Sequence, residues 1–276
     1  NNVINTSGIS SSNHGIRFDT SINDTLVLNN SVFSGGSAGS NYGVYMVTKS
    51  FRNNLTHNRV LSRGTNDNYG IFLQNNADFS TVEYNNVTTN GTTTTNTGIF
   101  ATISTQNNIT NNIVATNGTS ANEGIRITTD SNNTVVDNNN IATTGSTSSN
   151  FGIQLTTRAT SNNITNNVIN TSGTSLNHGI ISTTSVNKTL ILNNTIFSAR
   201  DGISLIGSNN FVANNTISSS PAAAISISTM SLNNKIYNNL INNYATGISL
   251  TAGDDGEITF DNDIRGGNIN GSTTAS

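Results

Sequence analysis

The sequence predicts an all-β fold: a single-stranded parallel β-helix of about ten coils, each 22 to 28 residues long. Three columns of residues carry that reading. An asparagine recurs along the whole 276-residue chain at Asn2, Asn30, Asn58, Asn85, Asn112, Asn139, Asn167, Asn194, Asn215, Asn239 and Asn262. Two residues after each stands a β-branched aliphatic, from Ile4, Val32 and Val60 to Ile241 and Ile264. A glycine followed by an aliphatic residue recurs as Gly15-Ile16, Gly43-Val44, Gly70-Ile71, Gly98-Ile99, Gly124-Ile125, Gly152-Ile153, Gly179-Ile180, Gly202-Ile203 and Gly247-Ile248, with Ala224-Ile225 as the exception.

Each coil is expected to carry three short strands. The first follows the glycine. The second ends just before the asparagine and buries a third aliphatic column, Val27, Leu55, Val82, Ile109, Val136, Ile164, Ile191, Val212 and Ile236, which only Thr259 breaks. The third follows the asparagine. Alternation along each strand turns the aliphatic columns into the bore, and no segment shows a helical period. The asparagine column falls at the tight turn between second and third strands, where Asn tolerates a left-handed backbone. Its carboxamide can accept from one coil and donate to the next, and so becomes a rung of an internal ladder. A structural role is therefore expected of these residues. The looser column before it, with Asn29, His57, Tyr84 and Asp261, reads as the outer residue of the turn.

Composition narrows the function. Charged residues make up 9% of the chain, against roughly a quarter in an ordinary domain. Short runs of Ile, Val and Leu separate it from disordered sequence. A net charge of −3 offers no basic field for nucleic acid or an anionic membrane. No apolar run approaches the ~20 residues of a helical membrane span. Without cysteine there is neither a disulfide framework nor a thiolate metal site. The bore columns run through both halves with no Pro-rich or charged linker between them, so a single domain over 1–276 is expected, with two zones. Residues 1–200 carry long Ser/Thr/Gly turns and a second asparagine column, Asn13, Asn41, Asn68, Asn96, Asn122, Asn150 and Asn177, whereas 201–276 form slimmer coils. The chain begins and ends in mid-pattern, and it reads as a segment of a larger secreted or cell-surface protein.

The order strand, turn, strand, short turn with an asparagine ladder, strand, long turn resembles the right-handed parallel β-helix of the pectate-lyase-like superfamily. It is most similar to the β-helix repeats of prokaryotic secreted and surface carbohydrate-binding proteins. The resemblance covers nearly the whole chain and implies a sugar-binding groove along the first strand. The matching outward positions are Arg17, Tyr45, Phe72, Phe100, Arg126 and Gln154, followed by Ile181 and Ser204. Aromatic and Arg side chains there suit pyranose rings and their hydroxyls.

Catalytic signatures of the superfamily are not met. His14-Gly15 and His178-Gly179 occupy ordinary repeat positions, and no Arg-x-Lys segment accompanies them. Asp19 and Glu123 stand isolated, where a glycosidase needs two carboxyls about 5 to 10 Å apart. One acidic cluster, Asp254, Asp255, Glu257, Asp261 and Asp263, offers hard oxygen ligands for Ca²⁺ without matching a known calcium loop. Otherwise no cofactor is implied. Fifteen Asn-x-Ser/Thr sequons are present, among them Asn5, Asn90, Asn117, Asn170 and Asn270.

The expected function is that of a non-catalytic, extracellular or cell-surface solenoid with a structural, adhesive or filament-forming role. Its partners would be a polysaccharide or surface glycan, or further copies associated end to end or side by side. The alternative is a lyase, glycoside hydrolase or carbohydrate-binding module using the same groove.

Overall fold

The computed structural model describes all residues except 148, 184, 199, 229–230, 252–255, 266–267 and 272–276, and gives backbone only for 219–221, 260 and 268–271. The described residues hold thirty strands and no helix. One coil shows the plan: a first strand Asn68–Gln74, a second strand Thr81–Glu83 and a third strand Asn86–Gly91. Every strand pairs in parallel with its counterpart one coil away. Thus Val82 faces Ile109, and Ile109 faces Val136.

The second strands form a ten-stranded sheet, while first and third strands join in a twenty-stranded one. The two columns join because the last coils lose the long turn. There the third strand runs directly into the next first strand, as Thr216–Ile227 (12 residues) and Leu240–Leu250 (11 residues). The short 198–202 corner still separates its strands, Thr195–Phe197 and Ile203–Leu205, so among the described residues the merger is confined to the two coils that follow.

The aliphatic columns line the bore. Val60, Val87, Val114, Ile141 and Ile169 are at most 1% exposed, as are Leu55, Val82, Ile109 and Val136. The recurrent glycine is explained by crowding across this bore. A Cβ on Gly98 would lie 2.2 Å from Val114 Cγ1 and 2.6 Å from the Gly124 carbonyl oxygen. Gly98→Ala must push the first strand off the third, and is expected to cost about 1 to 3 kcal/mol. Urea denaturation checks this; an unchanged midpoint would show that the coil gives way freely.

The left-handed backbone falls one residue earlier than the sequence suggests. Asn29, His57, Tyr84 and Asn111 have φ of 55°, 56°, 52° and 58°, and the ladder asparagines that follow are not left-handed. The outer residue makes the bend; the inner one supplies the rung. Asn112 shows how. Its Oδ1 accepts from the backbone N–H of Asn85 (3.0 Å) and from Asn85 Nδ2 (3.1 Å). Its own Nδ2 donates to Asn139 Oδ1 (3.0 Å) and to the Val82 carbonyl (2.8 Å). Both protons and both lone pairs of the amide are used. Rungs of this kind run from Asn2–Asn30 (2.9 Å) to Asn239–Asn262 (2.9 Å).

The other two corners use the same device. Asn13 to Asn177 form a second ladder in the long turns, with contacts such as Asn68–Asn96 (3.0 Å) and Asn150–Asn177 (2.8 Å). It ends with Asn177 Nδ2 lacking a partner, where the long turns stop. A third ladder, not visible as a column of one residue type, runs through Asn53, Ser80 and Asn107 and resumes from Thr134 to Asn162, the Thr134 hydroxyl itself having no partner. In it Ser80 N–H donates to Asn107 Oδ1 and Thr134 N–H to Asn162 Oδ1, both at 2.8 Å.

Candidate functional site

Two outward columns flank the glycine corner. The residues before glycine are His14, Tyr42, Tyr69, Thr97, Glu123, Phe151, His178 and Asp201. Those two places after it are Arg17, Tyr45, Phe72, Phe100, Arg126 and Gln154, each in register with the next. The fold therefore gathers the predicted stripe into one line.

Its aromatic part differs from the open stripe expected. Phe72 and Phe100 are only 5% and 8% exposed. The coil spacing of about 4.8 Å nearly equals the separation of stacked rings, so aromatics in register cover one another's faces. Tyr45 and Phe72 stack at 5.1 Å with planes 8° apart, and Phe72 and Phe100 at 4.7 Å with planes 9° apart. Alongside run His14, Tyr42 and Tyr69, stacked at 4.7 and 4.9 Å. The columns meet edge to face, with Tyr69 and Phe72 5.1 Å apart at 74°. Faces that a sugar ring would use are spent on neighbouring coils.

Arginine closes both ends of the stack. Arg17 lies 5.7 Å from the Tyr45 ring centroid and Arg126 5.1 Å from that of Phe100. Arg17 is paired with Asp19 at 2.8 Å. Beside Arg126 the groove turns polar, and Arg126 Nε and Gln154 Oε1 are buried without a hydrogen-bond partner.

Glu123 lies under this polar stretch, 3% exposed. Burial pushes its carboxyl up to about 7, against the pull of Arg126 and of Thr97. Thr97 Oγ1 donates to Glu123 Oε2 at 2.8 Å. Further along, His178 Nδ1 lies 3.2 Å from Asp201 Oδ2. Burial alone would raise the Asp201 carboxyl, yet His178, the Ala223 amide and Arg200 together hold it below its ordinary value. Tyr244, pushed up to about 12 by burial, sits 3.1 Å from Ser198 Oγ. This group replaces the second asparagine ladder where that ladder ends. The sequence hinted at it only through the change of spacing after Gly179.

The acidic residues that offer oxygen ligands for calcium are not brought together among the described residues. Asp254 and Asp255 lie outside them. Asp263 pairs with Arg265 at 2.7 Å, Glu257 accepts from Asn234 Nδ2 at 3.1 Å as the end of the third ladder, and Asp261 makes a left-handed corner (φ 52°).

This arrangement has structural relatives. A double mutant of the periplasmic alginate epimerase AlgG superposes with a TM-score of 0.67 at 12% identity, covering 89% of this chain and 70% of that one. The A-module of the Azotobacter vinelandii mannuronan C-5 epimerase AlgE6 gives 0.59 at 14% identity, covering 93% and 77%. The tailspike of E. coli bacteriophage HK620, solved with a pentasaccharide, gives 0.59 at 12% identity, covering 88% and 47%. The chain shares its fold with alginate epimerases and phage tailspikes. At these identities the likeness concerns the fold alone.

A family model described as periplasmic copper-binding protein (NosD) matches residues 170–276, less than half of the chain. No curated protein matches the sequence. Copper favours imidazole, thiolate and thioether ligands. Within the matched stretch those are His178, which is 5% exposed and faces Asp201, and Met230, which lies outside the described residues. No group of three His, Cys, Asp or Glu side chains suited to a metal stands among the described residues. The residues present do not fit a copper centre.

Proposed function

We propose that this chain is a non-catalytic, glycan-binding solenoid segment of a larger protein, working outside the cytoplasm as a stiff surface along which a polysaccharide lies. One observation carries the reading. Arg126 Nε and Gln154 Oε1, adjacent in register on the groove, are buried polar atoms with no protein partner. Such atoms are rare in folded proteins and call for water or a ligand. A donor and an acceptor side by side suit a sugar hydroxyl, which can serve both. The aromatic ladder contributes ring edges and rigidity to the wall beside them. Three relatives support the direction: two are named for alginate or mannuronan, and the third holds a pentasaccharide.

Calorimetric titration with oligosaccharides of alginate, polygalacturonate and mannan tests this. Wild type should bind at least one, and Arg126→Gln with Gln154→Ala should weaken that binding roughly tenfold or more. Absence of binding throughout, or indifference to the double variant, would refute it.

A second reading, a polysaccharide-active enzyme, is favoured by the His178 and Asp201 pair, since an Asp beside a His is how a general base is oriented. Against it, the two residues are only 5% and 7% exposed. Glu123 and Asp201 also lie three coils apart, about 14 Å, too far for a glycosidase pair.

A further inference from the structure

The chain has eight arginines. Five of them, Arg17, Arg52, Arg158, Arg200 and Arg265, have an Asp carboxylate within 4.0 Å. Arg126 belongs to the groove already described, and Arg59 and Arg63 have none among the described residues. They stand on one third strand, Arg59–Gly64, both exposed and both pointing away from the bore. They are four positions apart along the strand, about 13 Å.

Between them is the outer face of three stacked third strands, Val3–Gly8, Ser31–Gly36 and Arg59–Gly64. It holds a shallow depression of about 250 Å³ lined by Asn5, Ser7, Phe33, Gly35, Leu61 and Arg63. Register accounts for its shape. Phe33 stands between Asn5 and Leu61, and Gly35 between Ser7 and Arg63, so the missing side chain at Gly35 leaves the floor open. Arg59 is held over the Phe33 ring, 5.2 Å from its centroid. The depression thus has an apolar wall, an amide and a hydroxyl on one side, and the Arg63 cation in its lining, with Arg59 outside it on the Phe33 ring.

We infer that this depression is a second binding site, on a different face from the groove, for an acidic sugar residue carrying a carboxylate or a sulfate. Apolar wall and polar rim fit a ring with one greasy face and several hydroxyls. A volume below the roughly 300 Å³ of drug-sized pockets suits a single ring. Unneutralised guanidinium groups supply the forked, charge-assisted hydrogen bonds that planar carboxylates and sulfates take. On a chain of net charge −3, a pair of free arginines is a local exception to the surrounding field. A polymer with charges on successive residues would meet Arg63 in the depression and Arg59 beside it.

The inference does not depend on the groove reading, and the test keeps them apart. In an Arg126→Gln background, a galacturonate trisaccharide, a sulfated disaccharide and neutral maltotriose are titrated calorimetrically. At least one acidic probe should bind and maltotriose should not; which acid binds identifies the anion. Arg59→Gln with Arg63→Gln should weaken binding roughly tenfold or more. Gly35→Val, which keeps both arginines and fills the floor, should do the same, with Gly35→Ala as the smaller replacement if Val unfolds the coil. Lys188→Gln, an equal change of charge on another coil, should leave binding as it was. The inference is overturned if neither acid binds, if maltotriose binds equally, if the arginine or glycine variants are silent, or if Lys188→Gln has the effect of the arginine pair.

Discussion

Asn112→Ala is expected to lower the free energy of unfolding by roughly 3 to 5 kcal/mol. The substitution orphans the buried backbone N–H of Asn85 and one proton of the Asn85 amide, and it takes the Asn112 Nδ2 donor from Asn139 Oδ1, which keeps the Asn112 backbone N–H, and from the Val82 carbonyl. Each buried group left unpaired costs about 1 to 3 kcal/mol. Asn112→Asp should be worse at neutral pH, because a carboxylate cannot donate to Asn139 Oδ1 and brings a charge into the wall. Asn111→Gly is the comparison: it sits next door at φ 58°, where glycine is at ease, and should change stability by no more than about 0.5 kcal/mol. Urea titration of the three variants reads these differences. A loss below about 1 kcal/mol for Asn112→Ala would mean that neighbouring rungs re-pair and that the ladder does not hold the corner.

Stability should also fall with rising pH through Glu123. Its carboxyl titrates at about 7 in the folded protein, against an ordinary value of 4.5. Below 4.5 both states are protonated and Glu123 contributes no pH dependence. Between 4.5 and 7 the unfolded chain ionises while the folded one keeps its proton, so folding loses free energy as pH rises. Above 7 both are ionised and the loss is complete. The shift corresponds to about 3 kcal/mol. Glu123→Gln should flatten this part of the curve and be more stable than wild type at pH 8, in denaturant titrations at pH 4.5, 6 and 8. If it follows the wild-type curve throughout, another group carries the pH dependence.

The bore and the main ladder were legible because a fixed period forces like residues into vertical register, so a column in the sequence becomes a column in space. The left-handed corner was misplaced by one residue for a chemical reason. Asparagine suits both jobs, bending the chain and bridging coils, so the Asn29-Asn30 doublet does not reveal which residue does which. Tyr84 and His57 at left-handed corners show that position, more than residue type, imposes the bend. The third ladder is not legible because both Asn and Ser can accept from a backbone N–H, and the column changes identity from coil to coil. The groove was located but its character was not. A column of Tyr45, Phe72 and Phe100 states that rings are aligned; only the coil spacing decides that their faces meet. The unpaired arginines on the opposite strand column were invisible for a similar reason, since pairing of Arg52 with Asp24 or Arg158 with Asp130 depends on residues 28 positions apart.

The claim that the groove binds without reacting is tested most directly by proton NMR of alginate and polygalacturonate before and after long incubation with the protein. Identical spectra are expected. New reducing-end or unsaturated uronate signals, or an altered ratio of epimers, would contradict it, and their disappearance with His178→Ala would place the chemistry at the His178 and Asp201 pair.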